Sequence, residues 1–340
     1  MNSIFWRICR WPLFVILLMA SLWLALVSGS YPVTWGDVVH IFMPASDHTL
    51  GSNADTQTLE VVLMQIRLPR ILAALLVGAA LACSGAAYQA MFRNPLVSPD
   101  ILGVSAGAGL GAVLGIVMGF TPSAIQIMAF SGGLLAVLMV YSVSTILKRH
   151  DPVLILVLAG VAVGAFLSAF ISLLTILADP YSELASITFW LLGGLGSVSM
   201  SDLYRSIPFI LFGFVPLVLL RWRINLLSLP DDEAQALGLN TKQLRRILIL
   251  AATLMTASVV SFAGVIAWVG LIVPHLARLV VGPVFSRLMP AAIMLGAAFM
   301  LFTDTIARSA SYMEIPLGVL TSLVGAPFFV LLLLYGRRSI

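Results

Sequence analysis

Residues 67–111 decide the architecture. The stretch opens on Arg67-Leu68-Pro69-Arg70 and runs through a charge-free apolar segment at 71–90. It breaks at Arg93-Asn94-Pro95-Leu96 and Pro99, then restarts after Leu102-Gly103 as a second run rich in Gly and Ala. An α-helix rises about 1.5 Å per residue. The charge-free segment is therefore long enough to cross the roughly 30 Å hydrocarbon core of a bilayer. Arginines mark one end of that crossing and a proline elbow marks the other.

The rest of the chain has the same character. Its 340 residues are 61% hydrophobic and only 9% charged, with a mean hydropathy of +1.09. A soluble domain carries about 25% charged residues, so this chain has too few to cover a water-facing surface. Within lipid only helices and closed barrels satisfy their backbone groups, and the short alternating strands of a barrel are absent. The expected fold is an all-α integral membrane protein forming a single transmembrane domain over residues 1–340. Cys9 and Cys83 are far apart and make no disulfide framework. The net charge of +4 speaks for orientation in a membrane and gives no sign of nucleic acid.

Apolar runs at 11–27, 71–90, 102–120, 125–147, 153–177, 207–220, 247–267, 269–281, 290–304 and 315–335 give about ten spans. The first is expected to remain uncleaved. Segment 269–281 is short for a crossing and contains Pro274, His275 and Arg278. If it crosses, all Lys and Arg except Arg67, Arg70, Arg205 and Arg308 fall on one side. By the positive-inside rule that side is the cytoplasm, and both termini lie there. Residues 30–66 form an outer loop, with a short helix expected near 35–42. Residues 179–206 hold an outer re-entrant or surface helix, and 225–246 form an inner loop. Arg70 leads a span to the break at Pro95, and Arg246 leads another to Pro274. Spans two to five and seven to ten therefore suggest an inverted repeat, a design common in transporters.

Arg67, Arg70 and Arg308 stand on the face where basic residues are scarce. Snorkelling toward headgroups would account for them. So would an acidic partner, because the planar guanidinium fork suits carboxylates. Asp304 precedes Arg308 by four residues, a spacing that pairs charges along a helix. In the inner loop, Asp231-Asp232-Glu233 suit a helix N-terminus. Ala234, Leu237 and Leu239 offer an apolar face, Gly238 breaks the helix, and Thr241 is placed to cap a second one. Two short helices at an angle would make a docking knob for a soluble partner.

No phosphate-binding loop, zinc-spaced cysteines or His-Glu-x-x-His occurs, so no metal, cofactor or catalytic residue is assigned. Gly103-Val104-Ser105-Ala106-Gly107 has the letters of a hydrolase nucleophile elbow, but that motif requires a strand. Gly103, Gly107 and Gly111 instead recur as helix-packing residues. Nothing in the spacing of Ser105, His275 and Asp304 supports a hydrolytic triad.

The residues together resemble the FecCD type of permease. In the first half the resemblance rests on Arg67-x-Pro69-Arg70, Gly78, Ser84-Gly85, Gln89, Arg93-Asn94-Pro95-Leu96, Pro99, Leu102-Gly103 and Gly107-Ala108. In the second it rests on Leu237-Gly238, Gly264, Gly270-Leu271-Ile272-Val273-Pro274-His275, Arg278, Asp304, Arg308, Glu314-x-Pro316-x-Gly318 and Gly325-x-Pro327. Such proteins are the transmembrane subunits of type II ABC importers for iron-siderophore complexes, haem, cobalamin and, in some members, molybdate. The resemblance implies a multi-pass protein of the bacterial inner membrane that does no covalent chemistry. Its implied partners are two cytoplasmic ATP-binding subunits, a periplasmic substrate-binding protein and a second permease subunit, the same or a sister chain. It places Arg67, Arg70 and Arg308 at the binding-protein docking positions. Asp231, Asp232, Glu233, Ala234, Leu237, Gly238, Leu239 and Thr241 fall on the loop that couples to the ATPase. His150, Asp151 and Pro152 fall near the inner gate. The expected cargo is a ferric siderophore, with haem, cobalamin and molybdate as alternatives. An ion-coupled secondary transporter is the rival class. It would want ionisable side chains buried in mid-span, where the sequence offers almost none.

Overall fold

The computed structural model describes residues 2–29, 31, 33, 34, 36, 54–147, 152–311 and 313–335, and every regular element among them is helical. In chain order these are α1 (Asn2–Val27), α2 (Ala54–Val61), a π-helical turn (Val62–Arg67) and α3 (Leu68–Phe92). After a 3-10 turn (Pro99–Leu102) come α4 (Val104–Val117), α5 (Pro122–Ile146), α6 (Pro152–Leu177) and α7 (Leu184–Leu192). The remainder are α8 (Met200–Leu219), α9 (Arg221–Asn225), α10 (Asp231–Ala236), α11 (Thr241–Ala263), α12 (Val269–Val281), α13 (Phe285–Ser309) and α14 (Leu317–Tyr335). Seven helical stretches are long and apolar enough to cross a membrane, and three shorter apolar helices, α4, α12 and α14, add to them. That agrees with about ten spans. Of the short helix expected near 35–42, only Gly36 is among the described residues.

The second span begins earlier than Pro69. A continuous helix runs from α2 through the π turn into α3. Proline has no N–H for the preceding turn, and its ring crowds the carbonyl four residues back. Widening to π geometry just before Pro69 accommodates both, and such bulges are how helices absorb a local misfit. Three other helices also differ from their apolar runs. Helix α8 starts at Met200 because Ser199 and Asp202 form a capping box. Helix α13 includes Pro290 rather than starting there. The cap of α11 is Asn240, whose side chain accepts from the Gln243 amide at 3.0 Å, while Thr241 is buried inside the helix.

The order long helix, break, short helix, long helix occurs twice. The first set is α3, α4, α5 and α6; the second is α11, α12, α13 and α14. The short members have 14 and 13 residues, about 20 Å of helix and too little for a full crossing. Non-helical backbone completes each crossing. A Cβ at Gly270, at the start of α12, would come 2.6 Å from Pro99 Cδ and would also crowd the Leu81 carbonyl. One at Gly85, well inside α3, would collide with the Gly270 carbonyl. The two breaks therefore meet beside the middle of α3, enclosed by protein. Irregular backbone is tolerated at membrane depth under that condition. At the second break Trp268 adopts φ 72°. Its ring lies against Gly325 and meets Phe329 edge-on, with centroids 6.0 Å apart.

Helices α3 and α11 form the interior. Backbone-to-backbone approach at glycine holds the bundle together. A Cβ at Gly78 would collide with the Gly296 carbonyl of α13, and one at Gly107 or Gly111 would collide with carbonyls of α5. Association within lipid relies on such close packing because burial from water contributes little there. Helices α5, α6, α8 and α14 turn large apolar side chains outward.

Candidate functional sites on the two faces

One end of the bundle, the Arg70 face, gathers the three singled-out arginines. Arg67 is 3% exposed and Arg70 6%, and Arg308 is half-buried with its side chain 8% exposed. Arg67 donates to the carbonyls of Leu26, Val27 and Tyr31, and Arg308 donates to that of Ala25. The last carbonyls of a helix have no partner inside it, and positive charge is favourable there. Arg67 and Arg308 thus close the C-terminus of α1. Gly29 lets the chain pass over them, since a Cβ there would stand 2.9 Å from an Arg67 nitrogen.

Arg70 is held by carboxylates. Its Nε donates to both Asp304 oxygens at 2.9 and 3.0 Å, and one terminal nitrogen donates to Glu314 at 2.6 Å. Asp304 is buried, whereas the Glu314 side chain is 54% exposed. The expected Asp304–Arg308 pair exists at 3.7 Å, but it is secondary to Arg70. The i,i+4 rule sees only one helix, and the stronger partner comes from α3. Arg70 and Glu314 line a cavity of about 450 Å³ together with Trp190, Gly193, Gly196 and Phe262.

The opposite end, the Asp231 face, is built on a charged clasp. Arg245 donates to Asp231 through two parallel bonds of 2.7 Å. Arg93 binds the same carboxylate and also donates to the Leu227 carbonyl at 2.6 Å. These partners hold the Asp231 carboxyl below the usual range, with the Arg245 hydrogen bonds as the largest cause. The clasp fixes α10 between the end of α3 and the start of α11. Gly238 turns the chain at φ +81°, a conformation that glycine adopts without penalty. Ala234 and Leu239 face inward, while Asp232, Glu233 and Leu237 project outward. The apolar face read from the loop is therefore divided: two residues anchor it and Leu237 remains free. Sequence spacing missed the clasp because Arg93, Asp231 and Arg245 belong to three separate segments.

His150 and Asp151 lie outside the described residues, and Pro152 is the first residue of α6. Ser105, His275 and Asp304 do not come together as a triad. Ser105 bonds Asp100, Asp304 bonds Arg70, and the His275 ring meets Phe328 edge-on at 6.4 Å. Asp100 was not singled out by sequence, because its 3-10 turn reads as part of a surface elbow. It stands at the meeting of the two breaks, where the Ser105 hydroxyl and backbone amide both donate to it. No group of His, Cys, Asp and Glu suited to a metal occurs among the described residues.

A bundle of about ten crossings with two facing discontinuities, a charged rim at one end and a clasped helical loop at the other defines a multi-pass membrane permease. The chain belongs to the FecCD transport family, whose family model matches residues 17–335. It is 41% identical over 285 residues to an iron chelatin transport system permease protein of Helicobacter pylori, covering 84% of this chain and 86% of that one. It is 42% identical over 281 residues to the molybdate import system permease protein MolB of Haemophilus influenzae, covering 82% of each. The hemin transport system permease protein HmuU of Yersinia pestis is 37% identical over 301 residues, covering 86% of this chain and 89% of its own length. Among solved structures, an inward-facing metal-chelate type ABC transporter superposes with a TM-score of 0.81 at 36% identity, covering 95% of this chain and 97% of that one.

Proposed function

We propose that the chain is the membrane-spanning subunit of a binding-protein-dependent ABC importer for a metal chelate, with a ferric siderophore as its cargo. The family match over nearly the whole chain carries this reading. The Arg70 face is then periplasmic, and the Asp231 face and both termini are cytoplasmic in a bacterial inner membrane. Two such permease subunits, alike or sister chains, form the pathway between them. The α10–α11 elbow meets an ATP-binding subunit through Asp232, Glu233 and Leu237, and the Arg93–Asp231–Arg245 clasp transmits the partner's motion to α3 and α11. The turn at His150-Asp151-Pro152 contributes the inner gate. Haem, cobalamin and molybdate are the competing cargoes, in keeping with the names of the relatives.

A substrate-binding protein docks on the Arg70 face, where Arg67, Arg70 and Arg308 set the shape and charge. Two of the three are spent on the end of α1. Direct contact then falls to Arg70, whose partner Glu314 is half exposed and open to exchange with an incoming carboxylate. Glu314→Gln is expected to change binding-protein affinity without loss of ATPase assembly. Unchanged affinity would remove Arg70 from the contact.

Reconstitution tests the class and the cargo together. Uptake into proteoliposomes is expected only with the ATP-binding subunit, ATP on its side and the binding protein opposite. Ferric siderophore should compete out labelled cargo better than haem, cobalamin or molybdate. Uptake by the permease alone under a proton gradient would favour the ion-coupled class instead. Asp100 gives that class little support, since the carboxylate already serves the start of α4 through Ser105.

A further inference from the structure

A second cavity opens on the Asp231 face beside the clasp, with a volume of about 580 Å³. Its polar lining is Gln89, Arg93, Asn94, Asn225, Ser228, His275 and Arg278, and it contains no carboxylate. Its apolar walls include Ile224, Phe285 and Leu288.

The orientation of the amides decides what the cavity can bind. Asn94 Oδ1 accepts the Leu96 amide at 2.9 Å, and Asn225 Oδ1 accepts the Phe285 amide at 2.7 Å. Gln89 Oε1 accepts from Arg278 at 2.8 Å, while its Nε2 donates to the Leu271 carbonyl at 3.1 Å. Backbone N–H groups cannot accept, so the first two orientations are forced, and the Leu271 carbonyl with the Arg278 donor forces the third. The amide oxygens are therefore consumed inside the protein. Neither the Asn94 nor the Asn225 amide nitrogen has an acceptor among the described residues. Arg278 has only a neutral partner, Gln89. Of the nearby cations, Arg93 is matched by Asp231, while Arg278 has no ion pair among the described residues. The cavity presents donors and net positive charge to whatever enters it.

We propose that this cavity binds a phosphate-type anion, with Arg278 as the principal ligand and Asn94 and Asn225 as supporting donors. A guanidinium with flanking amide N–H groups matches several phosphate oxygens at once. The donor set suits the phosphate of an anionic phospholipid, and the apolar walls beside it suit the start of its acyl chains. Free phosphate shares the same chemistry.

The test uses the purified full chain in nanodiscs, with Ser228→Cys as a reporter in a Cys9→Ser background. Ser228 is exposed and lines the cavity, and Cys83 is buried. A negatively charged thiosulfonate is expected to label position 228 about tenfold faster than a positively charged one, after normalising to a free thiol, because a cavity of one sign concentrates counter-ions. Arg278→Gln should abolish that preference, while Arg223→Gln, outside the cavity, should leave it. Protection from labelling by phosphatidylglycerol in phosphatidylcholine discs identifies a lipid headgroup. Protection by millimolar inorganic phosphate in discs of phosphatidylcholine alone identifies a soluble anion. Either result supports the proposal. Equal labelling by both reagents, or protection by neither phosphatidylglycerol nor phosphate, overturns it. Protection only by an added ATP-binding subunit also overturns it, assigning the donors to a protein contact. The reagent comparison needs no variant at Arg278, so it stands even if that substitution fails to fold.

Discussion

Asp231 shows how much a single carboxylate can organise. Its folded-state affinity for a proton is lowered by Arg245 and then Arg93. In the unfolded chain it titrates near its ordinary value of about 3.9. Between those two values the unfolded state binds more protons, so stability falls as pH falls. The clasp's contribution is therefore complete above about pH 4 and disappears as pH drops through the depressed folded value. Thermal melts of wild type and Asp231→Asn should differ most at neutral pH, with the gap shrinking as pH falls below about 4; a gap that does not shrink on acidification would contradict the clasp. Asp304 makes a harsher case. It is 1% exposed, between Arg70 and Arg308, and removing it leaves the Arg308 side chain with no paired carboxylate among the described residues and Arg70 with the half-exposed Glu314 alone. Asp304→Ala is expected to cost about 3–5 kcal/mol. The double variant with Arg70→Met should cost less than Asp304→Ala alone, measured by denaturant unfolding in mixed micelles.

At the scale of elements, the bundle depends on helices whose backbones touch. Gly78 and Gly85 are sites where any Cβ collides with a carbonyl, whereas the nearest atom to a Cβ at Gly164 would be 3.9 Å away. Gly78→Ala and Gly85→Ala should each destabilise by about 1–3 kcal/mol. Gly164→Ala should be close to neutral, which a thermal-stability series would check. The sequence displays these glycines but not their partners. Gly103, Gly107 and Gly111 are legible as a packing face from their spacing alone, but only the packed helices show that Gly107 and Gly111 meet carbonyls of α5 while Gly103, the left-handed cap of α4, lies against Gly160 and Gly164 of α6. Short helix α12 is legible in its boundaries, because Trp268 and Gly282 bracket the apolar run. That its missing length is supplied by residues 264–268, packed inside the protein, could not be read from hydropathy, which treats buried and lipid-facing runs alike.

At the scale of the whole molecule, the two halves run in opposite directions and their breaks meet beside α3. Helix α3 ends at the clasp and α11 starts there, and each adjoins one of the breaks. On the proposed coupling role, Leu237, 63% exposed, stands where the ATP-binding subunit would press. Leu237→Asp is expected to abolish capture of the ATP-binding subunit in a pull-down while leaving the melting temperature of the isolated permease unchanged. Retained capture would move the contact elsewhere.

The amino-acid sequence alone determined that the chain spans a membrane as about ten helices, because hydropathy and charge bias are local sums that need no partner. It also singled out Arg67, Arg70, Arg308 and the segment around Asp231, since their composition departs from their surroundings. Only the tertiary structure decided what those residues do. Arg67 and Arg308 close α1, Arg70 is shared between Asp304 and Glu314, and Asp231 joins Arg93 to Arg245. Each of these pairings except that of Arg308 with Asp304 connects residues on separate elements. A guanidinium has the same chemistry whether it faces a partner protein, a headgroup or a helix carbonyl; the packing of distant helices selects among them.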